Sequence, residues 1–412
     1  MNGTLHINEG RYRVNWNALA AIGATPDGGV HRPALSEAHL EARRWFLETA
    51  QGAGLETTVD SAGNHSARLR CGPPGAPVLL LGSHLDSVPY GGRFDGALGV
   101  TAALEVLQTV ADQGITLDTH LEAIDFTDEE GHYANFLGSL ALTGKLASAH
   151  LQAPRGDHAR FLDALGRAGL SEASLFTTGR DPATLAGYLE LHVEQGSRLD
   201  EGQVEIGIVS GIVGIRSYHV RFVGRADHAG TMPMERRLDA AHGASAFTLA
   251  VRETVMGELP GSVATVGNMA FEPGVFNVVP EVVTVSLEFR ADTDVRLDEI
   301  EALLREAAAH AARRFGLDLE IQHLDSTAPA QMHERVQAAF AGACEALGLR
   351  HTTLPSGAGH DAQCLAAVCP TGMVFVPSAG GFSHSAREFT RWQDCVNGAN
   401  VLLQAALALG RV

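Results

Sequence analysis

The spacing of apolar residues divides the chain into three stretches. In the first stretch, the apolar segment at residues 76–82 predicts a buried strand and residues 121–126 predict a second strand. The amphipathic segment at residues 99–111 predicts a helix, and another helix is predicted near residues 138–146. Strands that alternate with helices are typical of an α/β sheet with helices on both faces. Ligands of such sheets bind at the carboxyl ends of the strands, so a site is expected directly after each strand.

The second stretch, residues 211–325, has a different periodicity. Its predicted elements are strand 213–223, helix 236–256, strands 262–271 and 281–290, helix 297–315 and strand 317–323. This β-α-β-β-α-β order is that of the ferredoxin-like motif. The α/β pattern then resumes in residues 326–412. We therefore predict a catalytic domain formed by residues 1–210 and 326–412, interrupted by an inserted domain of residues 211–325.

Composition indicates which partners and which cellular compartment to expect. The 412 residues carry a formal net charge of -18, which disfavours nucleic acid and anionic membranes as partners because like charges repel. Five cysteines without C-x-x-C spacing are typical of reduced thiols rather than of a disulfide framework. The first residues lack the apolar segment of a signal peptide. We expect a cytoplasmic protein.

Histidines and carboxylates follow the predicted strands. In SHLDS, His84 and Asp86 share one side of an extended segment, so Asp86 is in a position to orient His84 by accepting its second ring proton. GGRFDG places Asp95 directly before a helix. The structural alternatives are a capped strand end for the first pair and a helix N-cap for Asp95.

Three adjacent carboxylates and two further histidines complete the pattern. FTDEEG places Asp128, Glu129 and Glu130 after a buried strand, where they repel each other unless a cation lies among them. YLELHVEQG and FSHSAREF supply His192 and His384, for which a core or turn histidine is the structural alternative. Two carboxylates and three histidines at strand ends provide ligands for two divalent ions, and one carboxylate can bridge such a pair.

The ligand types narrow the choice of metal and leave one carboxylate available for catalysis. Imidazole and carboxylate without thiolate suit Zn, Mn, Co or Ni. Glu129, next to the ligand Glu130, is then free to act as a general base.

Eight motifs along the chain resemble those of one enzyme family. In order, they are SHLDS, GGRFDG, TDEEG, ELHVEQG, DHAGTMP, FNVVP, SGAGHDA and FVPSAGGFSHS. They are similar to the hydantoinase/carbamoylase branch of the dinuclear metallo-aminoacylases and carboxypeptidases, which includes N-carbamoyl-L-amino acid amidohydrolases, β-ureidopropionases and allantoate amidohydrolases. The resemblance extends from about residue 15 to the end of the chain. ELHVEQG is the most specific motif, because related peptidases have an acidic ligand in place of its histidine.

The resemblance implies an architecture and a set of metal ligands. The architecture is a metallopeptidase-like catalytic domain with a central mixed sheet, interrupted by an α+β lid domain through which homodimers form. His84 and His192 would hold one ion, Glu130 and His384 the other, and Asp95 would bridge them. The resemblance also assigns Asp86 to support His84 and Glu129 to act as the base.

The resemblance further implies substrate contacts. His228 would reach the partner subunit's site and stabilise an oxyanion. Asn277 would contact a polar group, and Arg290 a carboxylate. The structural alternatives are a loop histidine, a turn residue and a surface salt bridge. The remaining implied contacts are Gln195, Gly357, Ala358 and Gly359.

The expected function is hydrolysis of a linear amide, most simply the carbamoyl group of an N-carbamoyl-L-amino acid. Allantoate or ureidopropionate amidohydrolases and N-acyl-amino acid hydrolases on the same scaffold are alternatives. A binding protein that retains a metal pocket is a third, but it has no need of a spare base such as Glu129. His132 and Tyr133 depart from the usual continuation of the EEG motif, which concerns the substrate subclass rather than the ligands.

Overall fold

The structure is a computed structural model that describes residues 4–152, 154 and 157–411. The chain forms two compact units, one of Met1–Ser210 with Gln331–Val412 and the other of Gly211–Ala330. Among the described residues, no helix combines the length and apolarity that a membrane crossing requires.

The strands of the described residues are numbered in chain order. They are β1 (Glu56–Val59), β2 (His65–Leu69), β3 (Val78–His84), β4 (His120–Phe126), β5 (Leu185–Val193), β6 (Ile206–Ile212), β7 (Gly214–Val223), β8 (Val263–Glu272), β9 (Val282–Ala291), β10 (Asp318–Thr327), β11 (Ala330–Gln331), β12 (His351–Ser356) and β13 (Thr371–Val376).

The α-helices of the described residues are numbered in the same way. They are α1 (Glu9–Ala21), α2 (Glu37–Gly52), α3 (Ala97–Asp112), α4 (Leu137–Leu142), α5 (Ser148–Gln152), α6 (His158–Arg167), α7 (Glu172–Leu175), α8 (Arg198–Gly202), α9 (Ala240–Glu258), α10 (Asp294–Phe315), α11 (Glu334–Leu347), α12 (Asp361–Leu365) and α13 (Trp392–Leu409). Short 3₁₀ turns cover Pro182–Thr184, Met234–Arg236 and Ala379–Gly381.

The first unit is built on a mixed sheet in the order β1-β2-β4-β3-β5-β13-β6-β11, with β12 also paired to β6. The four central strands β4, β3, β5 and β13 are parallel, whereas β2 and β6 run antiparallel to their neighbours β4 and β13. The four parallel strands therefore end at one edge of the sheet. The predicted α/β class with a central mixed sheet is confirmed.

The central strands and helix α3 of this unit are buried in one apolar core. Every residue of β3 and β4 is buried, as expected for parallel strands covered on both faces. Helix α3 is buried from Ala97 to Val110 and shares one apolar core with α13 and the sheet. Gly99 allows the close approach of α3 to β5, because a Cβ there would lie 2.4 Å from the carbonyl oxygen of Leu191.

The second unit contains the predicted β-α-β-β-α-β order. Its antiparallel sheet has the order β10-β7-β9-β8, and α9 and α10 pack on it. Alternate residues of β9 are buried, so the strand has one face in the core. Helix α9 begins at Ala240 rather than at the predicted residue 236, because Asp239 caps it by accepting the main-chain N–H of Ala241.

Candidate metal centre

The parallel strands of the first unit bring the predicted ligands to one edge of the sheet. His84 ends β3, His192 lies near the end of β5, and Asp95 directly precedes the N-cap of α3. The loops after β4 and β13 carry Glu130 and His384. Two groups result, His84–Asp95–His192 and Asp95–Glu130–His384, and the ligand atoms within each group lie within 4.8 Å of one another.

Asp95 belongs to both groups and uses a different oxygen in each. Its Oδ1 lies 3.0 Å from Nε2 of His192 and 3.6 Å from Nε2 of His84. Its Oδ2 lies 3.4 Å from Nε2 of His384, which is 3.5 Å from Oε2 of Glu130. This is the arrangement that a carboxylate bridging two ions requires.

The two buried histidines turn Nε2 towards Asp95. Nδ1 of His84 lies 3.0 Å from the main-chain oxygen of Asp86, and Nδ1 of His192 lies 2.8 Å from that of Val193. A carbonyl oxygen only accepts, so each Nδ1 carries a hydrogen and each Nε2 is the ring nitrogen that faces the carboxylate. A cation at Nε2, either a proton or a metal ion, makes this contact favourable.

Asp86 lies beside His84, as predicted, but makes no direct hydrogen bond to its ring. Its carboxylate is 3.8 Å from Nδ1 of His84, within the distance of an ion pair, and the ring donates to the main-chain carbonyl of Asp86 at 3.0 Å. The chain bends at Leu85, so the strand alternation on which that prediction depended stops there. The Asp86 carboxylate accepts the main-chain N–H groups of Glu129 at 3.4 Å and Glu130 at 3.2 Å.

The three adjacent carboxylates have separate surroundings. Asp128 accepts the main-chain N–H groups of the next loop residues at 2.6, 3.0 and 2.8 Å and so holds that loop. Glu129 instead directs Oε2 to within 3.5 Å of Nε2 of His84, and Glu130 faces His384. The structure therefore separates a loop-forming carboxylate from two that face the centre.

The pKa shifts reflect crowded, buried charge. Burial raises the pKa of Glu129 well above its usual range, and burial together with Asp95 raises the pKa of Glu130 to about 7. Burial would also raise the pKa of Asp95, but the facing histidines, His192 first, outweigh it and hold that pKa well below its usual range. A hydrogen bond to Asp95 raises the pKa of His384 to about 9. Such a cluster requires positive charge among its carboxylates.

Unpartnered polar atoms show that the residues fit a metal ion. Among the described residues, Nε2 of His84 and Oε1 of Glu130 are buried without a hydrogen-bond partner. Buried polar atoms are rarely left in this state, and both atoms belong to predicted ligands. Coordination would satisfy them, and the nitrogen and oxygen donor set suits a first-row divalent ion.

The backbone at the centre is strained at non-glycine residues. Asp128, Gln195 and His384 have φ angles of 54°, 58° and 52°. Side chains disfavour this region, and such residues concentrate at functional sites. Gln195 uses its amide to donate to Oδ2 of Asp95 at 2.8 Å.

Three buried residues near the ligands were missed by the sequence analysis. Glu190 accepts a hydrogen bond from Ser83 at 2.7 Å, and the ring of His360 lies 4.4 Å from that of His192. Glu388 is 3% exposed and contacts the loop of Asp95. All three lie within or beside the sequence motifs described above. Their positions in the sequence do not show where their side chains point in the fold.

The predicted backbone contacts at residues 357–359 lie in the first unit, between β12 and α12. The main-chain N–H of Ala358 donates to Oγ of Ser356 at 3.2 Å. A Cβ at Gly359 would lie 2.6 Å from the ring of Phe136. The segment leads directly to His360, and its role with substrate remains a prediction.

The other predicted substrate contacts belong to the second unit. His228 and Asn277 are exposed on neighbouring segments, which are joined by a hydrogen bond from the Ala229 N–H to the Asn277 carbonyl at 3.0 Å. Arg290 lies near the end of β9, and its guanidinium is 2.8 Å from Glu288. Their roles remain predictions.

A cavity of about 340 Å³ opens beside Glu130. His132, Tyr133 and Arg160 are among the residues that line it. It therefore connects the centre with the two positions that depart from the usual EEG continuation.

Comparison with known proteins decides the family. Residues 80–408 match the sequence profile of peptidase family M20/M25/M40. The chain belongs to this family. It is 37% identical to an N-carbamoyl-L-amino acid amidohydrolase from Geobacillus stearothermophilus, over 95% of this chain and 96% of that one. It is 31% identical to a ureidoglycolate hydrolase from Arabidopsis thaliana, over 93% of this chain and 83% of that one.

Solved structures agree with this assignment. A hydantoinase/carbamoylase family amidase from Burkholderia multivorans superposes with a TM-score of 0.88 at 35% identity, over 99% of each chain. The M20 family is metal-dependent, and the described residues contain clusters that could bind metal. The predicted resemblance and the predicted hydrolase class are confirmed.

Proposed function

We propose that this M20 family member is a dinuclear amidohydrolase that removes the carbamoyl group of an N-carbamoyl-L-amino acid and yields the amino acid, CO₂ and NH₃. The observation that carries this proposal is Asp95, whose two oxygens face two separate ligand groups while Glu129 lies next to them. The similarity to proteins named N-carbamoyl-L-amino acid amidohydrolases supports the substrate class.

The proposed ligand sets follow the two groups around Asp95. His84 and His192 would hold one ion and Glu130 and His384 the other, with Asp95 shared between the two groups. Zn, Mn, Co and Ni suit these nitrogen and oxygen donors. When bound, two such ions polarise a carbonyl group and lower the pKa of water.

Glu129 is the proposed general base. It is 7% exposed, and its carboxylate faces the centre, whereas its neighbour Asp128 is used to hold the loop. Glu129 takes a proton from the water that adds to the carbamoyl carbon. It then gives that proton to the leaving amine as the carbon–nitrogen bond breaks, and the carbamate formed decomposes to CO₂ and NH₃.

Three residues of the inserted unit are proposed to contact substrate. His228 stabilises the developing oxyanion of the partner subunit's site, in a homodimer that pairs through the inserted domain. Asn277 and Arg290 contact a polar group and the carboxylate of the substrate, together with Gln195 and the backbone of residues 357–359. The exposure of His228 and Asn277 supports their availability. A donor of this kind contributes about 10²–10³ in rate.

Mixed dimers test the action of His228 in trans. A His228→Ala subunit and a Glu129→Gln subunit are each expected to be inactive as homodimers. Mixing them by unfolding and refolding places an intact Glu129 opposite an intact His228 in one of the two sites. Recovery of about a quarter of wild-type activity supports the proposal, since random mixing gives half heterodimers with one good site each. No recovery in verified heterodimers would show that His228 does not act in trans.

A ureidoglycolate or allantoate type of substrate is the second candidate. It is favoured by the similarity to the Arabidopsis ureidoglycolate hydrolase. A panel of substrates separates the candidates: N-carbamoyl-L-amino acids, N-carbamoyl-β-alanine, allantoate and ureidoglycolate, with N-acetyl amino acids in parallel. Chelator-stripped protein is reconstituted with Mn²⁺, Co²⁺ or Zn²⁺ before ammonia and acetate are measured.

Each outcome of the panel has a clear meaning. Metal-dependent ammonia from N-carbamoyl-L-amino acids supports the main proposal, and ammonia only from allantoate or ureidoglycolate supports the second candidate. Acetate alone would assign the protein to the N-acyl-amino acid hydrolases. We also propose a cytoplasmic location, in line with the five free cysteines.

A further inference from the structure

Glu388 joins the two loops that carry Asp95 and His384. It follows β13 and is 3% exposed. Its Oε1 accepts the main-chain N–H groups of Phe94 at 2.7 Å and Asp95 at 3.0 Å. Its Oε2 accepts the hydroxyl of Ser383, the residue before His384, at 2.7 Å.

Ser383 lies between Glu388 and the carboxylate of Asp95. Its Oγ is 2.7 Å from Oε2 of Glu388 and 3.2 Å from Oδ2 of Asp95. A hydroxyl has one hydrogen, and the shorter contact assigns it to Glu388. Glu388 therefore restrains the main chain at Asp95 directly, and the loop of His384 through Ser383.

The sequence around Asp95 leaves room for this carboxylate. A Cβ at Gly92 would lie 2.0 Å from the carboxyl carbon of Glu388 and 2.1 and 2.3 Å from its oxygens. The second glycine of GGRFDG thus creates the space that Glu388 occupies. Since the φ of Gly92 is not in the positive region, space rather than backbone conformation requires this glycine.

Stability alone does not account for Glu388. It makes no ion pair with a basic residue among the described residues, and burial of an unpaired carboxylate is unfavourable. It also does not belong to either ligand group around Asp95. Its hydrogen bonds instead converge on the segments that carry two predicted ligands.

We propose that Glu388 is a positioning residue that holds Asp95 in its bridging orientation and keeps the His384 loop beside it. This inference rests on the proposed metal centre. Groups that orient metal ligands change metal affinity by about 10–100-fold when they are removed.

The test is the binding of Mn²⁺, and in parallel Zn²⁺, to chelator-stripped full-length protein by calorimetry. Glu388→Ala is expected to bind at least one of the two ions about tenfold or more weakly. Glu388→Gln retains an acceptor for both N–H groups, and its amide can donate to Ser383, so its affinity is expected to stay within about threefold of wild type.

Glu105→Ala is the matched control. Glu105 is also fully buried and accepts a main-chain N–H, that of Asn8, but it pairs with Arg11 away from the centre. This variant is expected to melt at a lower temperature and to bind both ions as the wild type does. If Glu388→Ala behaves in the same way, Glu388 is only structural and the proposal is wrong.

Gly92→Ala tests the same contact without a change of charge. The added methyl group displaces the Glu388 carboxylate, so the variant is expected to lose metal affinity to a similar extent. In the double variant Gly92→Ala/Glu388→Ala, the two losses of metal affinity should not add, because both substitutions remove the same interaction. Additive losses, or a normal Gly92→Ala, would overturn the proposal. If Glu388→Ala does not fold, Gly92→Ala and Ser383→Ala serve as the test variants in its place.

The readout separates this inference from the proposed function. Wild-type protein that binds two ions but releases no ammonia from any ureido substrate would refute the proposed substrate class and leave the role of Glu388 standing. Wild-type protein that binds neither ion would refute both.

Discussion

Gly96→Ala gives a direct test of the geometry around His84. Gly96 follows Asp95 and has a φ of 63°, a conformation that side chains disfavour. A Cβ at this position would lie 2.4 Å from Cε1 of His84 and 2.5 Å from each ring nitrogen. The substitution therefore strains the backbone and also displaces the ring of a predicted ligand.

The structure sets the size of both effects. A positive φ at a non-glycine residue costs about 1–3 kcal/mol. To reach an ordinary contact of 3.4 Å, the ring must retreat by about 1 Å, yet His84 is only 1% exposed and is enclosed by the protein. Overpacking of this kind costs about 1–3 kcal/mol. We expect a loss of about 2–6 kcal/mol in the free energy of unfolding.

Gly114→Ala is the matched control. Gly114 has a φ of 59°, and a Cβ there would meet nothing within 4 Å. Its substitution should cost only the backbone strain of about 1–3 kcal/mol and leave metal binding unchanged. Gly96→Ala should in addition weaken the binding of at least one ion about tenfold or more, since about 1.4 kcal/mol of lost interaction corresponds to a factor of ten.

Two measurements on chelator-stripped protein separate the variants. Urea denaturation reports the free energy of unfolding, and calorimetric titration with Mn²⁺ or Zn²⁺ reports metal affinity. The reasoning fails if Gly96→Ala binds both ions like wild type, or if the two substitutions destabilise the protein equally. Either result would mean that the ring of His84 does not depend on the space at Gly96.

Three further predictions concern catalysis, pH and metal. Glu129→Gln should lower kcat by about 10²–10⁴ and leave the metal content of the purified protein at the wild-type level, whereas Glu130→Gln should lose metal; a fully active Glu129→Gln would exclude it as the base. Burial, and then the charge of Arg43, holds the pKa of His39 well below its usual 6.5, so only the unfolded chain gains this proton as the pH falls below about 6.5. Acidification should therefore destabilise the fold through His39 by about 1.4 kcal/mol per pH unit, and His39→Gln should show a shallower pH dependence in urea denaturation. Chelation should abolish turnover and lower the melting temperature, and the return of Mn²⁺, Co²⁺ or Zn²⁺ should restore both; activity that survives complete metal removal would contradict the proposed centre.

Much of the fold was predicted from the periodicity of apolar residues. The elements that were not predicted were missed for physical reasons. The buried strand β3 begins with an apolar run and β4 contains apolar residues within a short segment, so both were predicted close to their observed bounds. The hairpin of β1 and β2 at the edge of the sheet was not predicted, because β1 is short and mostly exposed. The β-α-β-β-α-β order of the second unit was found because its strands alternate between a buried and an exposed face.

The role of a single side chain was harder to predict than its presence. Asp86 was assigned to His84 on the assumption of an unbroken strand, but the bend at Leu85 turns its carboxylate to the loop of Glu129 and Glu130. Glu388 lies four residues after His384, and nothing in that spacing shows that its carboxylate points to the main chain at Asp95.

The sequence alone determined which chemical groups are present and where they follow the strands, because residue type and periodicity are local properties of the chain. It indicated the α/β sheet, the inserted unit and the histidines and carboxylates that are candidate ligands. Only the tertiary structure decided which oxygen of Asp95 faces which histidine, and which of the adjacent acids Asp128 and Glu129 faces the centre. These directions depend on contacts between loops far apart in the chain, as in the hydrogen bond from the main-chain N–H of Asp95 to Glu388, 293 positions away, and no local pattern encodes them.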